Sequence, residues 1–501
     1  MNDRLEVLNS VKAAFEREAG LVDLDSKIIT TRPFPILVIY VLNPTNRLHS
    51  ILENAKKTNV YIDGEVPIAT LRSKVRENIL STPEIKLLLR VLAESQNVTR
   101  FSFPGDFFNR YTDSVSGAEA QIVSSANHVV LGRRGAGKSM LLLYAWHNRE
   151  RSSKPSAWVD MQTYNGRSDE AVICDVLLEI LRQAARYLRD DEKNSQIVSF
   201  IGTPNLDILE LRKFLPKIRL YLGGIAEKGE ELFIFIDDLH VIGEQLQPLL
   251  LDIIYSLSRG NQIFLKISAI ETLTRTYDAD TRSGLEIPQD AQYLRLDYNL
   301  TTPDKTALHI AAILDAHAQY AGLPSIRRVC LSADVLPRLT WVSAGVPRDA
   351  LNLFSQAIQK ATAEGRKRVT VSNVNVAASE TLSIKLREFE TDAVGRSDDL
   401  KEVLESIKTF CIQDKRKNAF LVEIQSDTDL FSSVMRLVQL RLLHIVTEGI
   451  TIGEVGRKYI GLILDYGFYT GMRAAQSVDL FNRQTESVIY KDLRKLPVFR
   501  G

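Results

Sequence analysis

The sequence predicts an α/β fold built on a parallel sheet, and three observations carry that expectation. A glycine-rich turn, Gly132-Arg-Arg-Gly-Ala-Gly-Lys138-Ser139, lies between the short apolar run His128-Val-Val-Leu131 and the apolar helical start Met140-Leu-Leu-Leu-Tyr-Ala-Trp146. A second apolar run, Leu232-Phe-Ile-Phe-Ile236, ends in two carboxylates, Asp237 and Asp238; a continuous run of this kind reads as a central parallel strand buried on both faces. Around these runs, strand-like and helix-like stretches alternate, as βα units do.

The turn fits the phosphate-loop pattern G-x-x-x-x-G-K-[ST] without a mismatch, in the strand–loop–helix context that pattern requires. Glycines let backbone N–H groups close around a phosphate chain, and the following helix points its positive end at the same anion. Gly132, Arg133, Arg134, Gly135, Ala136, Gly137, Lys138, Ser139 and Met140 are therefore the expected cradle for ATP. Lys138 would reach the β- and γ-phosphates, and the Ser139 hydroxyl would ligate Mg²⁺. At the carboxyl end of the second run, Asp237 is the other expected Mg²⁺ ligand. Asp238 is the expected group to orient or deprotonate the attacking water, and its side chain predicts slow hydrolysis through short reach.

With 501 residues the chain is long enough for about three domains of roughly 150 residues. Composition is that of an ordinary globular protein, 45% hydrophobic and 25% charged, and 63 Lys+Arg against 62 Asp+Glu give no bulk basic or acidic character. Cys174, Cys330 and Cys411 are far apart and odd in number, which predicts reduced thiols in a cytoplasmic protein and neither a disulfide frame nor a zinc site. The start, Met1-Asn-Asp-Arg-Leu-Glu, lacks the features of a signal peptide. The apolar run Phe34–Leu42 falls short of the about 20 residues a membrane span needs, so it reads as a buried strand or short helix.

Taken in order, residues 1–104 form an N-terminal accessory region with helical patterns such as Leu71–Leu80 and Pro83–Leu92, a surface for packing or for a protein partner. Within the core, 105–299, the approach segment offers Phe108, Arg110 and Tyr111 either to adenine or to ordinary packing. Ala157–Met161 is the second strand, and Val172, Val176, Leu177, Ile180 and Leu181 recur at helical spacing after it. Gln262–Ile270 is the next strand, with Lys266 or Ser268 near its end as the polar group against the γ-phosphate. Arg275 and Arg282 follow in a polar connection, where an arginine would either reach a neighbouring subunit's nucleotide or be solvated. In 300–384, Pro347 suits the first turn of a helix that begins with Arg348, placed to swing toward a γ-phosphate.

Taken together, the Gly132–Ser139 loop, the Phe233–Asp238 strand end, the Ile263–Ser268 strand and Gly345-Val-Pro-Arg348 resemble the AAA+ ATPases, within them the initiator branch that includes the origin recognition complex. The resemblance implies a three-layer phosphate-loop core, a helical lid, and oligomers in which one subunit's arginine completes the next one's site. Two positions depart from the pattern: Asp238 replaces the usual Glu, and Ser268 or Lys266 stands where Asn or Thr is common. The Asp-Asp pair also looks like the signal-transducing NTPases of the STAND class, although the chain shows no internal repeat.

Residues 385–501 read as a third unit: a helix over Leu430–Val446 and extended stretches over Ile450–Asp465 look like a winged helix. Arg436, Arg457 and Lys458 would meet DNA phosphates, but 18 Lys+Arg against 17 Asp+Glu in this unit leave a protein-binding use open. The expected function is an ATP-binding, slowly hydrolysing switch that self-associates and engages DNA without a membrane. The alternative is a signalling or scaffold ATPase of a bacterial defence system whose modules bind proteins.

Overall fold

The apolar run near the start resolves as a strand. Ser26–Ile29 (β1), Ile36–Val41 (β2) and Ile68–Ser73 (β3) make a three-stranded sheet in the order β1-β2-β3, with β1 antiparallel and β3 parallel to the central β2. The helical pattern over Leu71–Leu80 is overturned here. Its first residues continue β3 beside the β-branched Ile68 and Thr70, and only a short 3₁₀ turn, Ile79–Ser81, follows. The computed structural model describes all residues but 1, 32–33, 75, 103–104, 189–190, 204–205, 297–301, 393–396, 426–427, 453–456, 471–477 and 480–489. It falls into two units, Val98–Asp297 and the combination of Met1–Asn97 with Tyr298–Gly501.

The Val98–Asp297 unit has the α/β phosphate-loop fold expected from the sequence. Its parallel sheet contains His128–Leu131 (β4), Ser156–Asp160 (β5), Leu232–Asp237 (β6) and Ile263–Ala269 (β7). Past a small hairpin of Tyr277–Asp278 (β8) and Ser283–Gly284 (β9), the strand Gln292–Arg295 (β10) completes it, in the order β10-β4-β7-β6-β5. Period-two alternation in β6 divides the two faces. Leu232, Ile234 and Ile236 join the core under the helices Asp169–Leu188, Ile208–Glu227 and Leu246–Ser258, while Phe233 and Phe235 join the core under Lys138–Arg151. All these side chains are buried, each removal from water contributing about 1.5–3 kcal/mol. Because neighbouring strands are parallel, Leu131, Asp160, Asp237 and Ala269 all lie at one edge of the sheet.

The opposite edge is braced by two buried basic side chains whose contacts there leave no sequence signal. Arg149, at the end of the Lys138–Arg151 helix, donates to the carbonyls of Pro155 and Glu231, at the starts of β5 and β6, and sits 3.9 Å over the Phe233 ring. Lys266, wholly buried, donates through Nζ to the carbonyls of Ser124 at 2.6 Å and Ala126 at 2.7 Å and meets His128 Nδ1 at 3.0 Å. These contacts fill the donor capacity of one ammonium and tie β7 to the segment that enters β4.

In the other unit, the helix Pro83–Glu94 packs on Pro303–Tyr320 and Pro347–Ala363, so the N-terminal region and the helices expected to form a lid share one core. Glu84 is buried there because Oε1 accepts from Leu42 N at 2.9 Å, which closes the end of β2. After Val371–Asp392 and Ser397–Thr409 come Ala419–Glu423 (β11), the helix Asp429–Gln439, Leu443–Thr451 (β12) and Lys458–Leu464 (β13), with sheet order β11-β13-β12. The helix expected over Leu430–Val446 stops early. Arg441 takes a left-handed φ of 59°, and the β-branched Ile445 and Val446 continue as strand. Residues 453–456, between β12 and β13, lie outside the described residues. Among the described residues, no helix is long and apolar enough to cross a membrane.

Burial pushes the Lys266 ammonium down from 10.5 to about 7. Between those values the unfolded chain holds a proton that the folded chain has released, so stability rises with pH through that window. Denaturant titrations from pH 7 to 10.5 are expected to show the wild type gaining on Lys266→Met as pH rises. A pH-independent difference would mean that this ammonium does not titrate there.

Candidate active site

The loop after β4 takes a shape that its glycines permit. Gly135 and Gly137 have φ of 81° and 98°, the left-handed region that side chains resist. A Cβ on Gly132 would lie 3.3 Å from Ala136 Cβ and 3.5 Å from Leu296 Cβ. Lys138 opens the Lys138–Arg151 helix; it is buried, and Nζ donates to the Arg133 carbonyl at 3.1 Å, folding the lysine back over the loop. Arg134 is exposed, while Arg133, Ser139 and Met140 are half-buried. The helix start leaves its first N–H groups unpaired along its own axis, which suits an anion.

Asp237 joins the loop to the sheet. Its Oδ1 accepts from Ser139 Oγ at 3.0 Å and from Ser268 Oγ at 2.5 Å, so the phosphate-loop helix, β6 and β7 converge on one oxygen. Burial, and then the neighbouring Asp238 charge, push the carboxyl up from 3.8 to about 6, against the lowering pull of the two hydroxyls. A buried carboxylate with an excess of negative charge around it calls for a cation. The hydroxyl of Ser139 and the carboxylate of Asp237 form an all-oxygen donor pair that suits Mg²⁺, so the residues fit the ion the fold implies.

Asp238 turns away from the strand with a left-handed φ of 59°. Its N–H donates to Ser268 Oγ at 2.8 Å and its Oδ2 accepts from the exposed Gln162 Nε2 at 3.2 Å, which fixes the backbone and loosely holds one carboxylate oxygen. On the other side, His240 Nδ1 stands 3.9 Å from Oδ1. Burial pushes the His240 imidazolium down from 6.5 to about 4, so the ring is neutral at physiological pH. Gln162 and His240 stand beside Asp238, and nothing in the sequence marks them. A glutamine after a strand and a lone histidine after an acid pair have no spacing that marks them.

The remaining expected residues separate. Ser268 stands beside the two acids, but Lys266 pairs in register with His128 at the far end of β4 and is not near the loop. Tyr111 stacks on Phe107 at 5.3 Å and Tyr144 at 4.8 Å and donates to Glu119 Oε1, and Arg110 is buried beside it on the Phe107–Arg110 helix. Arg275 is engaged by Asp278 and Gln245, whereas Arg282 is exposed at the β8–β9 turn. Arg348 is exposed in the first turn of Pro347–Ala363, in the other unit.

No protein-family model and no curated protein matches the sequence. Several solved structures are similar to this chain. The ORC1 protein of Aeropyrum pernix in complex with DNA is 16% identical, over 73% of this chain and 93% of that one, with a TM-score of 0.38. Cdc6p of Pyrobaculum aerophilum is 15% identical over 70% and 88%, with a TM-score of 0.35. The Walker-type ATPase of Pyrococcus abyssi is 13% identical over 72% and 94%, with a TM-score of 0.41.

The raised Asp237 carboxyl has a consequence for stability. Its contribution is present in full below 3.8 and is lost as pH rises through about 6, so at neutral pH the buried charge weakens the ligand-free protein. Asp237→Asn is expected to stabilise the ligand-free protein by about 1–3 kcal/mol at pH 7–8, an advantage that disappears below pH 3.8. Thermal melts across this range check it; a variant less stable than wild type at pH 8 would contradict the account.

Proposed function

We propose that this chain is an ATP-dependent molecular switch, an initiator-like AAA+ ATPase that binds ATP with Mg²⁺ and hydrolyses it slowly. The observation that carries the reading is the hydrogen bond from Ser139 to Asp237, which joins two motifs 98 residues apart at one sheet edge. Open α/β sheets bind ligands at that edge. In this reading the loop N–H groups and Lys138 hold the phosphates, and Ser139 and Asp237 hold the metal. Mg²⁺, when bound, neutralises charge on the phosphate oxygens. Asp238 accepts a proton from water as the water oxygen attacks the γ-phosphorus in line, and the bond to the β–γ bridging oxygen breaks to release ADP. Asp238 has one methylene less than Glu, which supports slow turnover.

Arg348 and Arg282 are proposed to read the γ-phosphate and to complete a neighbouring subunit's site. Both guanidinium groups are exposed and make no hydrogen bond or ion pair among the described residues. The proposed roles of Arg110 and Tyr111 beside adenine rest on the position of their segment before the loop. In the C-terminal region a helix, a strand, a helix and two antiparallel strands follow one another, which supports the winged-helix-like reading. Exposed Ser432, Arg436 and Gln439 on one helix and exposed Lys458 on the hairpin support a DNA-phosphate surface. The Arg457–Glu423 ion pair at 3.8 Å occupies one expected DNA contact and supports the alternative, a scaffold whose modules bind proteins.

Lys138→Ala is expected to abolish ATP binding, whereas Asp238→Asn should bind ATP as wild type does and lose about 10²–10⁴ in turnover. Calorimetry with a phosphate-release assay reads both; wild-type affinity and turnover in Lys138→Ala would refute the loop assignment. For the C-terminal region, fluorescence anisotropy with duplex DNA is expected to show salt-dependent affinity that Arg436→Ala/Lys458→Ala weakens. Absence of binding at low salt would favour the scaffold.

A further inference from the structure

The residue after the acid pair and its leucine faces the second acid. His240 lies on the 3₁₀ turn Leu239–Val241, its side chain is only 5% exposed, and its Nδ1 is buried without a hydrogen-bond partner among the described residues. Leaving a buried polar nitrogen without a partner is costly. This one faces Asp238 Oδ1 at 3.9 Å. The same carboxylate is held on its other oxygen by Gln162, an exposed amide with a bond of 3.2 Å. Its backbone is pinned more firmly, by Asp238 N on Ser268 Oγ at 2.8 Å. The side chain thus sits between a weak partner on the solvent side and a vacant donor on the protein side. Closing the gap to hydrogen-bond length needs a shift of about 1 Å, within reach of a χ rotation about the fixed backbone.

We propose that His240 is a positioning residue for hydrolysis: its Nδ1–H engages Asp238 Oδ1 once the carboxylate leaves Gln162, and so holds the short aspartate side chain toward the attacking water. The neutral imidazole has one proton to place, and on Nδ1 that proton makes the ring a donor. One carboxylate oxygen is then held by the imidazole while the other stays free to accept the proton of water, so no proton passes to the histidine. A fixed carboxylate recovers part of what the missing methylene loses, because proton abstraction depends on reach and orientation before it depends on basicity. Gln162 and His240 then define two positions of one side chain, held back and engaged. The inference rests on the reading of Asp238 as the group that deprotonates water.

The test is single-turnover hydrolysis of Mg²⁺-ATP by the full chain, with ATP affinity and melting temperature measured on the same samples. His240→Ala is expected to lower the hydrolysis rate about 10–100-fold while ATP affinity stays at the wild-type value. His240→Asn, whose amide N–H falls near the place of Nδ1–H, should recover most of that loss. His240→Gln, whose amide falls near Nε2, should not. Equal rates in the Asn and Gln variants would overturn the proposal even if the Ala variant failed to fold, as would a wild-type rate in His240→Ala. Wild-type hydrolysis in Asp238→Asn would instead overturn the reading of Asp238, whatever the histidine variants do.

Discussion

One carboxylate oxygen, Asp237 Oδ1, holds the candidate site together. It accepts the hydroxyls of Ser139 and Ser268, and through them it connects the start of the Lys138–Arg151 helix with the ends of β6 and β7. The rest of the core serves that meeting. Parallel strands bring their carboxyl ends to one edge, alternating Leu, Ile and Phe side chains in β6 bury both faces, and the buried basic side chains of Arg149 and Lys266 secure the other edge. Ser268 spans both acids, donating to Asp237 and accepting from Asp238 N–H, so one hydroxyl sets the spacing between the expected metal ligand and the expected base.

The same site is where the fold gives up stability. Asp237 is buried next to Asp238 with its proton affinity raised, Asp238 lies in left-handed backbone, and His240 carries an unmatched nitrogen. Each feature is unfavourable in the chain by itself, and in the proposed reading each would become useful once a cation and a phosphate chain are bound. In the proposed reading, Mg²⁺ bound with the nucleotide would offset the negative charge of Asp237 and Asp238 and so favour the bound state.

How much of this was legible in the sequence depends on how local the pattern is. The Gly132–Ser139 loop and the apolar run into Asp237-Asp238 are contiguous, and their residue types follow from phosphate geometry and strand burial, so both were readable. Ser268 and Lys266 were not separable, because β7 is buried along its length and nothing in its composition tells which polar residue falls at the ligand edge; only the register His128↔Lys266 decides. The helix over Leu430–Val446 was overextended because an apolar run fits either period, and the break is a single residue, Arg441, in left-handed backbone. Gln162 and His240 reach Asp238 through tertiary folding, one from after β5 and one from a 3₁₀ turn, and leave no trace in spacing.

In the proposed reading Lys138, Ser139 and Asp237 form a Mg²⁺-nucleotide site. Calorimetric titration of the wild-type protein with ATP, with and without Mg²⁺, tests it most directly. Stoichiometric binding that tightens when Mg²⁺ is added is expected, with that tightening lost in Asp237→Asn. Absence of binding at millimolar ATP, or an affinity indifferent to Mg²⁺ in the wild type, would contradict it.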